Sequence, residues 1–218
     1  MKDILAIGIL KTLFFNFRYL PFPQAVRLPF ILARNVNIRR CKRGFCKFDN
    51  CPPHMGLVTI GFNRDANNSA PSSICIEGQV IIKGNKKHAF GAGCRIIVKS
   101  NAILEVGDDF GCTGDTCIIA FKKISIGAHN LWSYGCVVRD NDGHSIIGLD
   151  GKIINHPRDV IFGNNIWMGC NCLILKGAKI SSDTIIAAGS RIGKNVGEPN
   201  SIISTDGVVL KRDIKWVH

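Results

Sequence analysis

The chain has 218 residues, 28 Lys and Arg against 16 Asp and Glu for a formal net charge of +12, and 46% hydrophobic residues. That length allows one solenoid domain with caps, or at most two small domains. No run approaches the ~20 apolar residues that a membrane-spanning helix needs, and no recognition motif accompanies the charge to point to nucleic acid.

Residues 3–20 read as a helix, apolar all round except at Lys11, Asn16 and Arg18, and Pro21, Pro23 and Pro29 stop it. The Ile4–Leu10 run is short, follows Asp3 and lacks a cleavage site, which argues against a signal peptide. Two roles stand open for this segment: a cap over exposed strand edges, or a helix lying on an anionic membrane surface, favoured by Phe14, Phe15 and Phe17. Residues 1–50 hold ten Lys or Arg and only Asp3 and Asp49, so +8 of the +12 sits there. A solvated face explains that charge, and so does contact with anionic lipid or an anionic ligand. Residues 1–60 are taken as a helical and extended basic cap, and Val58–Gly61 at its end reads as a strand.

Ten cysteines do not require disulfides in a chain with this much core. Cys94, Cys112, Cys136 and Cys172 fall where small core residues belong, as buried thiols in a reducing cytoplasm do. Cys41, Cys46, Cys51 and His54 lack paired C-x2-4-C spacing, so no metal is expected.

Asn63–Ser73 is polar and reads as a loop. From Ile74 to Lys123 short β-rich runs carry a loose period of six through Ile76, Ile82, Cys94, Val106, Cys112 and Ile118, which slips by two before Ile126. Ile126, Trp132 and Val138 then lead three hexads. After an interruption, Phe162, Met168, Ile174, Ile180, Ile186 and Ile192 lead six more, each followed by a mostly small residue. Six is the period neither of a helix nor of an ordinary strand. It suits a coil in which each hexad forms one flat side, the large residue pointing inward and the small one turning the corner: a parallel β-helix over residues 61–203, with a tail at 204–218. The polar excursion 139–161 breaks the coil and contains Asp140, Asp142, His144 and His156; such loops often carry function.

At Ile166–Ile180 and Ala187–Arg191 the chain resembles the hexapeptide-repeat acyltransferases, and the excursion with the resumed repeat is similar to the sugar O-acetyltransferases of polysaccharide biosynthesis. The resemblance implies an all-β fold, a left-handed parallel β-helix with a short N-terminal helical segment. It also implies a cytoplasmic homotrimer with acetyl-CoA as co-substrate in a cleft between subunits, acting on a saccharide acceptor. It makes His144 the base that takes the hydroxyl proton, with Asp142, and Asp140 second, to orient the ring. His156 stands as a competitor, and His129 as a surface or subunit-contact residue. The positions matching CoA contacts are Trp167, Cys170, Ala188 and Lys194. The family's C-terminal Gly-Asn-Pro-Ala-Lys reads Ser204-Thr-Asp-Gly-Val208 here, so either Lys211 or Arg212 is the substitute cation or CoA binds more weakly. Alternatives are transfer to an amino sugar, a non-catalytic β-helix that scaffolds or binds polysaccharide, and a metal-dependent hydratase, for which the histidines show no three-ligand pattern.

Overall fold

In the computed structural model, which describes residues 7–63 and 70–217, strands follow one another in fixed rotation over three sheets. The first face begins at Phe30–Leu32, runs through Val58–Phe62, His88–Ala92, Gly111–Gly114, Leu131–Trp132, Trp167–Met168 and Thr184–Ile186, and reaches Ser201–Ile203. The second runs from Asn37–Cys41 to Arg191–Ile192, and the third from Cys46–Asp49 to Asn195–Val196. Consecutive strands lie on different faces while each strand pairs in parallel with its counterpart one coil away. The chain is the expected parallel β-helix.

The six large residues that lead the hexads from Phe162 to Ile192 are all buried, as are Ile166, Cys172, Ala178, Thr184, Ser190 and Val196 four places after each. The looser phase upstream comes from longer coils. On the second face Ile74, Ile96, Ile118 and Val138 stack in register, whereas Ile174 stacks on Ile192, three plain hexads on. The slip before Ile126 arises in the strand Cys117–Ala120, which buries Ala120 as well as Ile118 and so spends two more residues on that face. Cys94, Cys112, Cys136 and Cys172 are buried, no disulfide joins the described cysteines, and burial pushes the Cys46 and Cys117 thiols up.

The start differs from expectation. Strands of all three faces already run through residues 30–49, so the β-helix begins at Phe30 and not at 61. This first coil hides in the sequence because its outward positions carry Arg39, Arg40 and Lys47, while Phe30, Leu32 and Phe45 fill its interior. The cap proper is helix α1 (Ile9–Tyr19) with a short α2 (Phe22–Ala25). The first residues of the expected helix, and part of the expected polar loop, lie outside the described residues.

Helix α1 closes the open edge with polar side chains. Asn16 Nδ2 donates to Phe30 O at 2.7 Å, Phe30 N donates to Asn16 Oδ1 at 3.2 Å, and Leu32 N donates to Thr12 Oγ1 at 3.0 Å. These bonds satisfy backbone groups of an edge strand that have no further strand to pair with. At the other end Val209–Lys211 folds back antiparallel on Ser201–Ile203.

Candidate active site

The excursion leaves the coil between the second-face strand Val137–Arg139 and the third-face strand Val160–Phe162. Asp140 anchors its root. This carboxylate is fully buried and accepts Phe121 N at 2.8 Å and Lys122 N at 2.7 Å, while Arg158 N donates to Asp140 O at 3.0 Å. Asp140 thus ties both ends of the loop to the coil below, and its carboxylate is spent on backbone amides rather than on His144.

Asn141 Oδ1 accepts Gly143 N at 2.8 Å and Arg139 Nη2 at 3.2 Å, an Asx-type turn in which Gly143 has φ +87°. The chain then reaches Asp142, whose Oδ2 accepts from Lys176 Nζ and, at 2.9 Å, from Asn155 Nδ2. Those two bonds, Lys176 first, hold the Asp142 carboxyl below the usual carboxylate range. Asn155 also donates to His144 O at 2.8 Å and accepts Ile146 N at 2.7 Å. The His144 main chain is thereby fixed, while its ring hydrogen-bonds to no described residue. Among the described residues Asp142 makes no hydrogen bond to the imidazole; it belongs to a relay of hydrogen bonds that runs from Lys176 through Asp142 and Asn155 to the His144 carbonyl.

His144 and His156 share a pocket of about 150 Å³ with Phe121, Asp142, Asn155 and Pro157. Beyond it residues 146–154 form a small hairpin, bridged at Ile147 and Ile153, whose Ile146, Ile147, Leu149, Ile153 and Ile154 stand exposed. His129 lies apart at another corner, its Nδ1 3.2 Å from Asp109 Oδ2.

The positions matching CoA contacts separate into two groups. Trp167 points outward from the first face, as its phase requires, and lines an apolar groove of about 610 Å³ with Leu131, Ile185, Ile202, Lys211 and Trp216. Trp216 lies against it with ring centroids 6.4 Å apart, and Trp216 Nε1 donates to Asn165 O at 2.9 Å, which fixes the tail along this face. Cys170 and Ala188 stack on the adjoining corner between the first and second faces, where Gly189 N donates to Cys170 O at 2.8 Å. A Cβ at Gly169 would fall 2.6 Å from Ala188 N, so the coils meet there without a side chain between them.

Lys194 does not join them. It follows Arg191–Ile192 at the corner of the second and third faces, the edge that carries His144, opposite the first face. Lys211 lines the groove beside Trp167, as does Lys215, whereas Arg212 is held by Glu198 through bonds of 2.7 and 3.2 Å. Sequence reasoning missed Lys176 and Asn155. Lys176 sits at an ordinary corner position of a hexad, and only its place beside the excursion marks it.

No family model matches the chain. It is 33% identical over 146 residues to the polysialic acid O-acetyltransferase of Neisseria meningitidis, over 54% of this chain and 68% of that protein. The chain belongs to the hexapeptide-repeat sugar O-acetyltransferase family. The left-handed parallel β-helix of that family is therefore its fold. A second relative, the polysialic acid O-acetyltransferase of Escherichia coli O1:K1 / APEC, is 27% identical over 125 residues, covering 57% of this chain and 38% of its own length. Among solved structures, the polySia specific acetyltransferase NeuO aligns with a TM-score of 0.46 and 19% identity, over 87% of this chain and 89% of that one.

Proposed function

We propose that the protein transfers an acetyl group from acetyl-CoA to a hydroxyl of a cell-surface saccharide, with His144 as general base, in a site assembled between copies of the chain in a homotrimer. The observation that carries this reading is the pinned His144 pocket on the excursion corner of a chain that belongs to this family. Polymeric sialic acid, the acceptor that the relatives' names state, is the first acceptor to try.

The imidazole takes the hydroxyl proton as the oxygen attacks the thioester carbonyl, because an alcohol is a poor nucleophile while it keeps that proton. Collapse of the tetrahedral species breaks the C–S bond, and the imidazolium returns the proton to the leaving thiolate. His144 and the Trp167 groove occupy opposite sides of one coil stack, so a single chain does not bring base and pantetheine wall together. A neighbouring copy supplies the missing half, and the apolar hairpin 146–154 gives it something to cover. In the groove Trp167 and Trp216 offer aromatic faces to the pantetheine arm, and Lys211 offers a point charge to a CoA phosphate.

The test is thiol release from acetyl-CoA over a panel of saccharide acceptors, with alkaline lability of the product marking an ester rather than an amide. Acceptor-dependent release of a labile acetyl group, lowered roughly 10²–10⁴-fold in His144→Ala with acetyl-CoA affinity nearly unchanged, is the expected result. Near-normal turnover in a folded His144→Ala protein removes the residue from the mechanism and makes His156 the next to test.

A further inference from the structure

Helix α1 is built in reverse. Its polar residues Thr12 and Asn16 are buried against the strand edge, while Ile9, Leu10, Leu13, Phe14 and Phe17 face outward, with Leu10 83% and Phe14 54% exposed. These five recur at helical spacing on one side. Phe22 of α2 continues the patch, its ring centroid 6.2 Å from that of Phe17. The outer side of a capping helix is ordinarily polar, and the capping bonds come from Lys11, Thr12 and Asn16, so the apolar side is left exposed among the described residues.

Cations frame this patch. Arg34 and Arg39 line shallow grooves beside Leu10, and Phe14 borders the groove of Arg39. At the far end of α1, Gly44 N donates to Tyr19 O at 2.7 Å, which brings the turn of Lys42 and Arg43 to the helix end that Arg18 also occupies. A second copy docked through the same patch would set these cations against their own kind. An anionic bilayer offers hydrocarbon to the apolar side chains and phosphate to the cations around them. No described helix is long and apolar enough to cross a membrane.

We propose that this end of the β-helix docks on an anionic lipid bilayer, α1 lying in the plane of the interface with Ile9, Leu10, Leu13, Phe14 and Phe17 in the acyl boundary. The experiment is sedimentation of the full chain with vesicles of phosphatidylcholine alone and of an equal mixture with phosphatidylglycerol. Binding at least about tenfold stronger to the mixed vesicles, weakened by added salt, is expected. The triple change Leu10→Gln, Phe14→Gln and Phe17→Gln, which keeps helix-forming residues, lowers that binding by about tenfold or more while far-UV circular dichroism and melting are retained. Leu10→Gln alone lowers it in part and serves if the triple variant is unstable. Equal binding to both vesicles, or wild-type binding by both variants, overturns the proposal. Dimers that dissociate in the triple variant, with no vesicle binding by the wild type, overturn it in favour of a second copy.

Discussion

At the excursion corner the amide of Asn155 joins three groups that would otherwise move separately: the Asp142 carboxylate, the His144 carbonyl and the Ile146 N–H. Removing it leaves the His144 ring chemically intact but frees the main chain that aims it. Asn155→Ala is therefore expected to lower turnover by roughly tenfold or more with little change in the KM for acetyl-CoA, because misplacement of a reacting group costs rate rather than ground-state binding. Unchanged turnover would show that the relay positions nothing. Lys211→Ala should do the opposite, raising the KM for acetyl-CoA with a smaller effect on turnover; an unchanged KM would take the cation out of the CoA groove. The sequence made His144 and His156 visible because a loop interrupts a counted repeat, and Trp167 because its position matches the family's CoA contacts and its phase points it outward. It could not show that Asp142 faces Lys176 rather than the imidazole, nor that Lys194 and Trp167 lie on different edges. Both depend on which corner follows which face, and the hexads look alike on all three.

Among the elements, α1 shows most clearly how a polar residue is used inside an apolar helix. Asn16 appears in the sequence as a blemish in that helix, yet it supplies the acceptor and the donor that the edge strand lacks. Asn16→Leu leaves Phe30 N and O buried without partners, at a cost of about 1–3 kcal/mol; urea unfolding should show it, and a change well under 0.5 kcal/mol would mean that the edge is satisfied otherwise. The strand His88–Ala92 carries a second test. Burial pushes the His88 ring down to about 4, with Asp108 and Asp109 opposing in part. The ring is then neutral in the fold but takes up a proton on unfolding once the pH drops below 6.5, the ordinary histidine value. Stability should fall from there to about pH 4, by at most about 1.4 kcal/mol per unit from this group. His88→Gln should flatten that part of the curve, and an identical slope in both proteins would contradict it. The coils from Phe162 onward were legible because each spends three plain hexads. The first coil was not, because cations at its outward positions and irregular spacing conceal two inward residues per face.

Taken as a whole, the molecule has faces of unlike character. Outward positions of the third face carry Lys83, Glu105 and Lys123, with Glu105 bridged to Lys123 at 2.9 Å and to Lys83 at 3.7 Å, as suits a solvated side. The corresponding row of the first face runs Ile31, Thr59, Ala89, Gly111, Leu131, Trp167, Ile185 and Ile202, large and apolar from Leu131 onward. That asymmetry, with the apolar hairpin on the opposite corner, is what a ring of copies would use, one chain's hairpin corner reaching the next chain's first face. The most direct test is complementation between two inactive chains. His144→Ala and Trp167→Ala proteins are co-expressed with different tags, mixed oligomers are isolated, and acetyl transfer to saccharide is measured. If base and groove come from neighbouring copies in a closed ring of three, the isolated mixed trimers regain about a third of wild-type activity, since each of them pairs an intact His144 with an intact Trp167 at one junction of three. Mixed oligomers as inactive as either parent would place both residues in one subunit's site and contradict the account.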